Sequence, residues 1–190
     1  MSKDKRVIKT EKLITETMMR LLATTSISKI TVKKICDQAL ISKSTFYDHY
    51  VDKFDVIDKI VDVYAMQFNC EIQQRFEAVQ QKNIFEIFNK IIKDMANQDS
   101  DLLILMSLEQ DVHRVQDRFH KILYDNAHAF LSKQKMNKRF SVGFLSQIYA
   151  DLALTSISFT LKHAENEKLL EEQTDFMNLM QEVIISNVKQ

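Results

Sequence analysis

Apolar positions recur every three or four residues along almost the whole chain, which is the repeat of a buried helical face and not of a strand. Ile14, Met18, Leu21 and Leu22 form one such stripe, predicting a helix from about Val7 to Ala23. Val32, Ile35 and Ala39 form a second, over about Thr31 to Gln38 with Thr31 as N-cap, and Phe46 and Tyr50 give a third short helix its inward side. A longer stripe runs through Ile57, Val61, Tyr64, Phe68, Ile72, Phe76 and Val79, opened by Asp52 and Asp55 as a capping box. Further helices are predicted at about Asn83 to Asn97, Asp101 to Glu109, Asp111 to Leu131, Ser141 to Leu161 and Lys168 to Val188, about nine in all. Composition strengthens this reading. The chain has no proline and Gly143 is its only glycine, so helices go uninterrupted and tight hairpin turns are missing. The expected fold is all-α, with a three-helix head over 1–53 and a helical bundle body over 54–190.

The second and third helices are too short to stand alone and must bury their stripes against each other and the first helix. Ala39 suits their crossing point, Ile41 lies in the turn, and Ser42 can cap the helix that follows. That helix turns Lys43, Ser44, Thr45, Tyr47, Asp48 and His49 outward, groups that hydrogen-bond or carry charge on a rod that fits the major groove of B-DNA. Its first-turn amides and positive dipole end would face a phosphate.

The run Thr31-Val32, Ile35, Ala39, Ile41-Ser42-Lys43-Ser44-Thr45-Phe46-Tyr47, His49-Tyr50 and Lys53 resembles the DNA-binding domain of TetR-type transcriptional regulators. The match covers roughly residues 8 to 60. The segment from Thr45 to Asp55 looks particularly like the branch related to regulators of dihydroxyacetone kinase operons. One position departs from the pattern: Leu40 stands in the turn where the family usually has glycine, which implies either backbone strain or a different turn. The resemblance implies a double-stranded DNA operator, a homodimer and a small-molecule effector of unknown identity. It marks Tyr47, His49 and Lys53 as phosphate contacts, with Lys43, Ser44 and Thr45 placed for base edges and Thr31, Lys33 and Ser42 beside them.

Net charge is zero over 190 residues, which is unusual for a protein that grips a polyanion. Dividing the chain removes the difficulty. Residues 1–53 hold eleven Lys and Arg against six Asp and Glu, a balance of +5, and residues 54–190 balance it at −5. Lys3, Lys5, Arg6, Lys9, Lys33, Lys34, Lys43 and Lys53 are all candidates for phosphate. Cys36 and Cys70 lack metal-ligand or redox spacing, and the start MSKDKRVIKT lacks the apolar run of a signal peptide, so a reducing cytoplasm is the expected location.

In the body, Ser141 to Leu161 is apolar nearly all round but carries Asp151, Gln147 and several serines, too polar for a convincing membrane span. Burial between subunits is the better account. Ala150, Ala153 and Ile157 here, with Phe176, Met180, Val183 and Ile184 on the last helix, are the expected interface of a two-fold four-helix arrangement. Tyr64, Phe68, Phe85, Phe88, Met95, Leu105, Met106, Phe119 and Leu123 are the expected lining of an effector pocket, since small-molecule sites are mostly apolar, although ordinary core packing would use the same residues. Catalysis finds no support. There is no Glu-x-x-His pair for a di-iron bundle, no zinc-ligand spacing around His113, His120, His128 or His163, and no glycine-rich phosphate loop. No cofactor or metal is expected. The sequence therefore reads as a non-enzymatic, ligand-responsive repressor that binds an inverted-repeat operator as a homodimer, with a protein-interaction adaptor of the same fold as the alternative.

Overall fold

The computed structural model describes residues 5–78, 100–106, 108, 112–134, 139–163 and 165–186. Among them are eight α-helices and no strand: α1 (Lys5–Leu22), α2 (Val32–Ala39), α3 (Lys43–Tyr47), α4 (Lys53–Ala78), α5 (Ser100–Met106), α6 (Val112–Leu131), α7 (Val142–Lys162) and α8 (Glu167–Ser186). Each lies within a few residues of a predicted helix. The one expected at about Asn83 to Asn97 lies outside the described residues. A 3₁₀ turn at Ile27–Lys29, too short to show a period, is an addition that the hydrophobic pattern did not anticipate.

Side-chain oxygens set the helix starts. Thr31 Oγ1 accepts from the Lys34 amide at 3.2 Å, Ser42 Oγ from Thr45 N at 3.0 Å and Ser141 Oγ from Phe144 N at 3.2 Å, each satisfying a first-turn amide with no intrahelical partner. At α4, Asp52 Oδ1 accepts from both Phe54 N and Asp55 N, and Asp55 Oδ2 reaches back to Val51 N at 2.9 Å. The reciprocal pair expected of Asp52 and Asp55 is present, displaced by one residue on its return arm.

Leu40 resolves the question raised by the missing glycine. Its backbone is left-handed, φ 53° and ψ 42°, and the Ile41 amide donates to the Cys36 carbonyl at 3.1 Å, closing α2 as a glycine would. The turn keeps its geometry, and a leucine carries the steric cost. Its side chain, 92 % exposed, recovers nothing by packing.

The core is continuous from head to body. Ile14, Met18, Ile35, Phe46 and Tyr50 are buried in the head, Val56, Ile57, Ile60 and Val61 carry the same cluster along α4, and Phe68 stacks on Phe119 of α6 with ring centroids 4.6 Å apart. One buried cluster has members on both sides of the 53/54 boundary, so α4 packs with both parts. The helix pair α6 and α7 forms the centre of the body. Although α7 is long and apolar enough to cross a membrane, Leu145, Tyr149, Ala150, Ala153 and Ile157 are buried within the fold, as in a core helix. Gln173 ties α8 to α7 through the Ser156 carbonyl at 2.9 Å and the Thr160 hydroxyl at 3.1 Å.

Relief of a left-handed leucine is worth about 1–2 kcal/mol, offset by about 0.4–1 kcal/mol of extra freedom in the unfolded chain. Leu40→Gly is thus expected to raise stability by about 0.5–1 kcal/mol, read as a higher urea midpoint at unchanged slope, whereas Leu40→Val should lower the midpoint.

Candidate nucleic-acid interface

α3 is only five residues long, so its orientation is imposed from outside. Phe46, fully buried, anchors it, with Tyr47 edge-on to the Phe46 ring and Tyr50 tilted against it at centroid distances of 5.5 and 5.8 Å. With Phe46 inward, the opposite side must face solvent. Lys43, Ser44, Tyr47 and Asp48 are exposed there, and Thr45 is half-buried beside them. Ser42 Oγ lies 2.8 Å from both Ser44 Oγ and Thr45 Oγ1, a hydroxyl cluster that fixes the side chains of the helix tip. From α2, Lys33 and Thr31 are exposed on the neighbouring surface, Thr31 with its oxygen already engaged in capping.

Two of the expected DNA-facing residues are placed differently. Lys53 is half-buried, and its Nζ donates to the Ile27 carbonyl at 2.7 Å and the Ile30 carbonyl at 2.8 Å. An ammonium committed to two main-chain oxygens is not held out toward phosphate. The physical reason is the 3₁₀ turn, whose first carbonyl, Ile27, and the cap carbonyl that follows it, Ile30, lie at the foot of α4 and take the nearest cation. His49 is turned inward as well. Its side chain is 12 % exposed, with Nδ1 3.8 Å from Glu11 of α1, because residue 49 lies past the end of α3 and no longer shares its outward face. Lys34, proposed as a phosphate ligand, reaches Thr25 Oγ1 at 3.4 Å. Lys3 lies outside the described residues.

Sequence reasoning missed the contacts that hold this surface from behind. Lys59 Nζ donates to the His49 carbonyl at 2.9 Å, lies 4.3 Å from the Tyr50 ring centroid and pairs with Asp55 at 3.6 Å. The spacing of Asp55 and Lys59, four apart, was visible, but its closure onto the head was not. Burial, with Glu11 and Asp55 nearby, pushes the Tyr50 hydroxyl up to about 12. Burial likewise pushes the Cys36 thiol up, and Asp37 adds to the effect, so Cys36 is a core thiol and not a nucleophile.

The expected effector residues cluster where α4, α5 and α6 meet. Phe68, Leu105, Phe119 and Leu123 are fully buried, Met106 is half-buried against them, and Tyr64 directs its hydroxyl to Asp101 Oδ2 at 3.4 Å. Phe85, Phe88 and Met95 lie outside the described residues. Tyr64 also borders a groove of about 590 Å³ between α1 and α4, lined in addition by Ile8, Glu11, Met19, Tyr50, Lys59, Val63 and Asp101.

Of the expected interface residues, Ala150, Ala153 and Ile157 are covered by their own chain at 0 % exposure and present no surface to a partner. The reason is that the small residues of α7 admit α6 closely and are used up within the subunit. Phe176, also expected there, is more than half exposed on α8, as are Leu179 beside it and Phe144 on α7, and Met180 is half-buried. The side chains of Val183 and Ile184 lie outside the described residues. Within the described residues no three His, Cys, Asp or Glu side chains converge on a common point.

No family model and no curated protein matches the chain. Among solved structures it is similar to a TetR-family regulator from Syntrophomonas wolfei, at 17% identity and TM-score 0.69, covering 93% of this chain and 95% of the other. It is similar also to NalD, the secondary repressor of the MexAB-OprM multidrug efflux pump in Pseudomonas aeruginosa, at 14% and 0.68 over 90% and 96%. A third is SmeT in complex with triclosan, at 13% and 0.69 over 96% and 93%. At these identities the likeness is one of fold, and it extends over head and body together.

The Tyr50 proton links the head to pH. The unfolded chain releases it near 10 and the folded chain holds it to about 12, so the stability it confers is complete below pH 10 and is lost as pH rises toward 12. The difference in unfolding free energy between the wild-type chain and Tyr50→Phe, measured by urea titration across that range, should shift in favour of the variant as pH rises.

Proposed function

We propose that the chain is a TetR-family transcriptional regulator that binds an inverted-repeat operator as a homodimer, through α3 in the major groove, and acts as a ligand-responsive repressor. The observation that carries the reading is the surface formed by Lys33, Lys43, Ser44 and Tyr47, exposed together on a helix-turn-helix whose buried side is anchored by Phe46. Lys43 and Ser44 are the candidates for base edges, and Lys33 and Tyr47 for phosphate. The +5 balance over residues 1–53 supplies non-specific attraction at the right end of the molecule. The segment from Thr45 to Asp55 further supports a place near the regulators of dihydroxyacetone kinase operons. Leu40 gives no support to the adaptor reading, since the turn it occupies keeps the conformation that α3 requires.

Phe144, Phe176 and Leu179 leave an apolar surface on α7 and α8 that fits two-fold pairing with a second copy. Such a dimer sets the separation of the two α3 helices at about one DNA turn or a multiple of it. NalD is a repressor and SmeT binds triclosan, which supports repression relieved by a small apolar molecule. In mechanism, the effector favours a splay of the heads that no longer matches the half-site spacing, and its differential affinity for the two forms sets the response. The protein would act in the cytoplasm, without a cofactor or catalytic role.

Selection of duplexes from a random pool, or of fragments from the source genome, should return an inverted repeat. Lys43→Ala and Tyr47→Ala should each weaken binding to it by about tenfold, as expected for contacts worth about 1–3 kcal/mol, with helicity and dimer mass unchanged. Undiminished binding by the double variant refutes this surface.

A further inference from the structure

The first two turns of α4 hold the main chain of the helix-turn-helix at both of its ends. At the start, Lys53 Nζ donates to the carbonyls of Ile27 and Ile30, just before the Thr31 cap of α2. At the finish, Lys59 Nζ donates to the His49 carbonyl, two residues beyond α3, while lying over the Tyr50 ring. Asp55 reinforces the second of these, accepting from the Val51 amide at 2.9 Å and pairing with Lys59. The Ile30 and His49 carbonyls and the Val51 amide lie in irregular segments outside the helices, and the Ile27 carbonyl accepts from Lys53 in addition to the Ile30 amide of its 3₁₀ turn, so these side chains help to determine how the segments sit.

We infer that Lys53 and Lys59 are positioning residues that lock α2 and α3 to α4, so that a tilt of α4 turns the recognition surface as one body, and that Lys53 is not a phosphate ligand. The covalent link alone, residues 48–52, could bend. Packing of Phe46 and Tyr50 resists translation of α3 but is weakly directional, whereas hydrogen bonds to carbonyls at opposite ends of the motif fix its rotation about the α4 axis. Two of the three Lys53 donors are spent on carbonyls, and the residue is half-buried, which opposes an outward swing. Lys59 sits among Asp55, Tyr50 and the His49 carbonyl, so methionine can replace its stem but not its bonds.

The inference rests on the DNA-binding reading for its consequence but not for its contacts, and the test separates the two. On a duplex selected with the wild-type chain, the slope of log affinity against log salt reports released counterions, about 0.9 per phosphate contact. Lys33→Met serves as the control and should lower the slope by about that amount. Lys53→Met should weaken binding while leaving the slope unchanged, and a fall equal to the control overturns the assignment. Lys59→Met should retain binding to a single half-site but reduce discrimination between operators whose spacing differs by one base pair, from about tenfold to about twofold, within the range of ordinary coupling energies. Lys59→Arg, which can donate to the same carbonyl and lie over the same ring, should restore it. Unchanged discrimination in Lys59→Met overturns the lock. If the wild-type chain selects no duplex, the functional reading fails, and amide exchange then decides the lock by itself. Lys59→Met should speed exchange at residues 44–51 and leave α6 and α7 unchanged, whereas protection equal to wild type across the head would overturn it.

Discussion

The burial of Phe46 is the constraint on which the rest of the head depends. A five-residue helix has almost no stability of its own, so α3 exists because one aromatic side chain is buried in the head core, with α3 packed on α2 and Tyr50 against the ring. Everything offered to solvent by Lys43, Ser44 and Tyr47 is defined by rotation about that anchor. The polar contacts from α4 act on what hydrophobic burial leaves loose, the angle of the motif relative to the long helix.

The long helix is therefore the element through which head and body share a state. Val56, Ile57, Ile60 and Val61 pack into the head, and Phe68 stacks on Phe119 within the body, all on one rod from Lys53 to Ala78. A single cluster of buried side chains leaves no soft joint at the 53/54 division, and the groove beside Tyr50, Lys59 and Tyr64 lies along the seam. Close-packed interfaces of this kind respond to displacement by switching between arrangements rather than by deforming smoothly.

Leu40 illustrates how a local rule can be broken without loss of the global fold. The left-handed position is demanded by the Cys36 carbonyl and the start of α3, and the chain meets that demand with a leucine at a steric cost small beside the burial of the head core. The resulting side chain projects into solvent from the very turn that leads into α3.

Much of this architecture could be read from the order of residues alone. The three-residue and four-residue spacing of apolar side chains, the near absence of glycine and proline, and the oxygens of Thr31, Ser42 and Asp52 located the helices, because helix periodicity and capping act over a few neighbouring residues. The outward placement of Lys43, Ser44 and Tyr47 followed from the same periodicity once Phe46 was assigned inward. What only the tertiary structure decided were the partners chosen across long separations: Lys53 turned to carbonyls of a 3₁₀ turn, His49 turned to Glu11, and Ala150, Ala153 and Ile157 consumed against α6. A lysine near a helix start reads the same whether it meets a phosphate or a main-chain oxygen, and a small residue reads the same on an inner or an outer face. The difference lies in which distant segment arrives beside it, and that is a property of the packed chain.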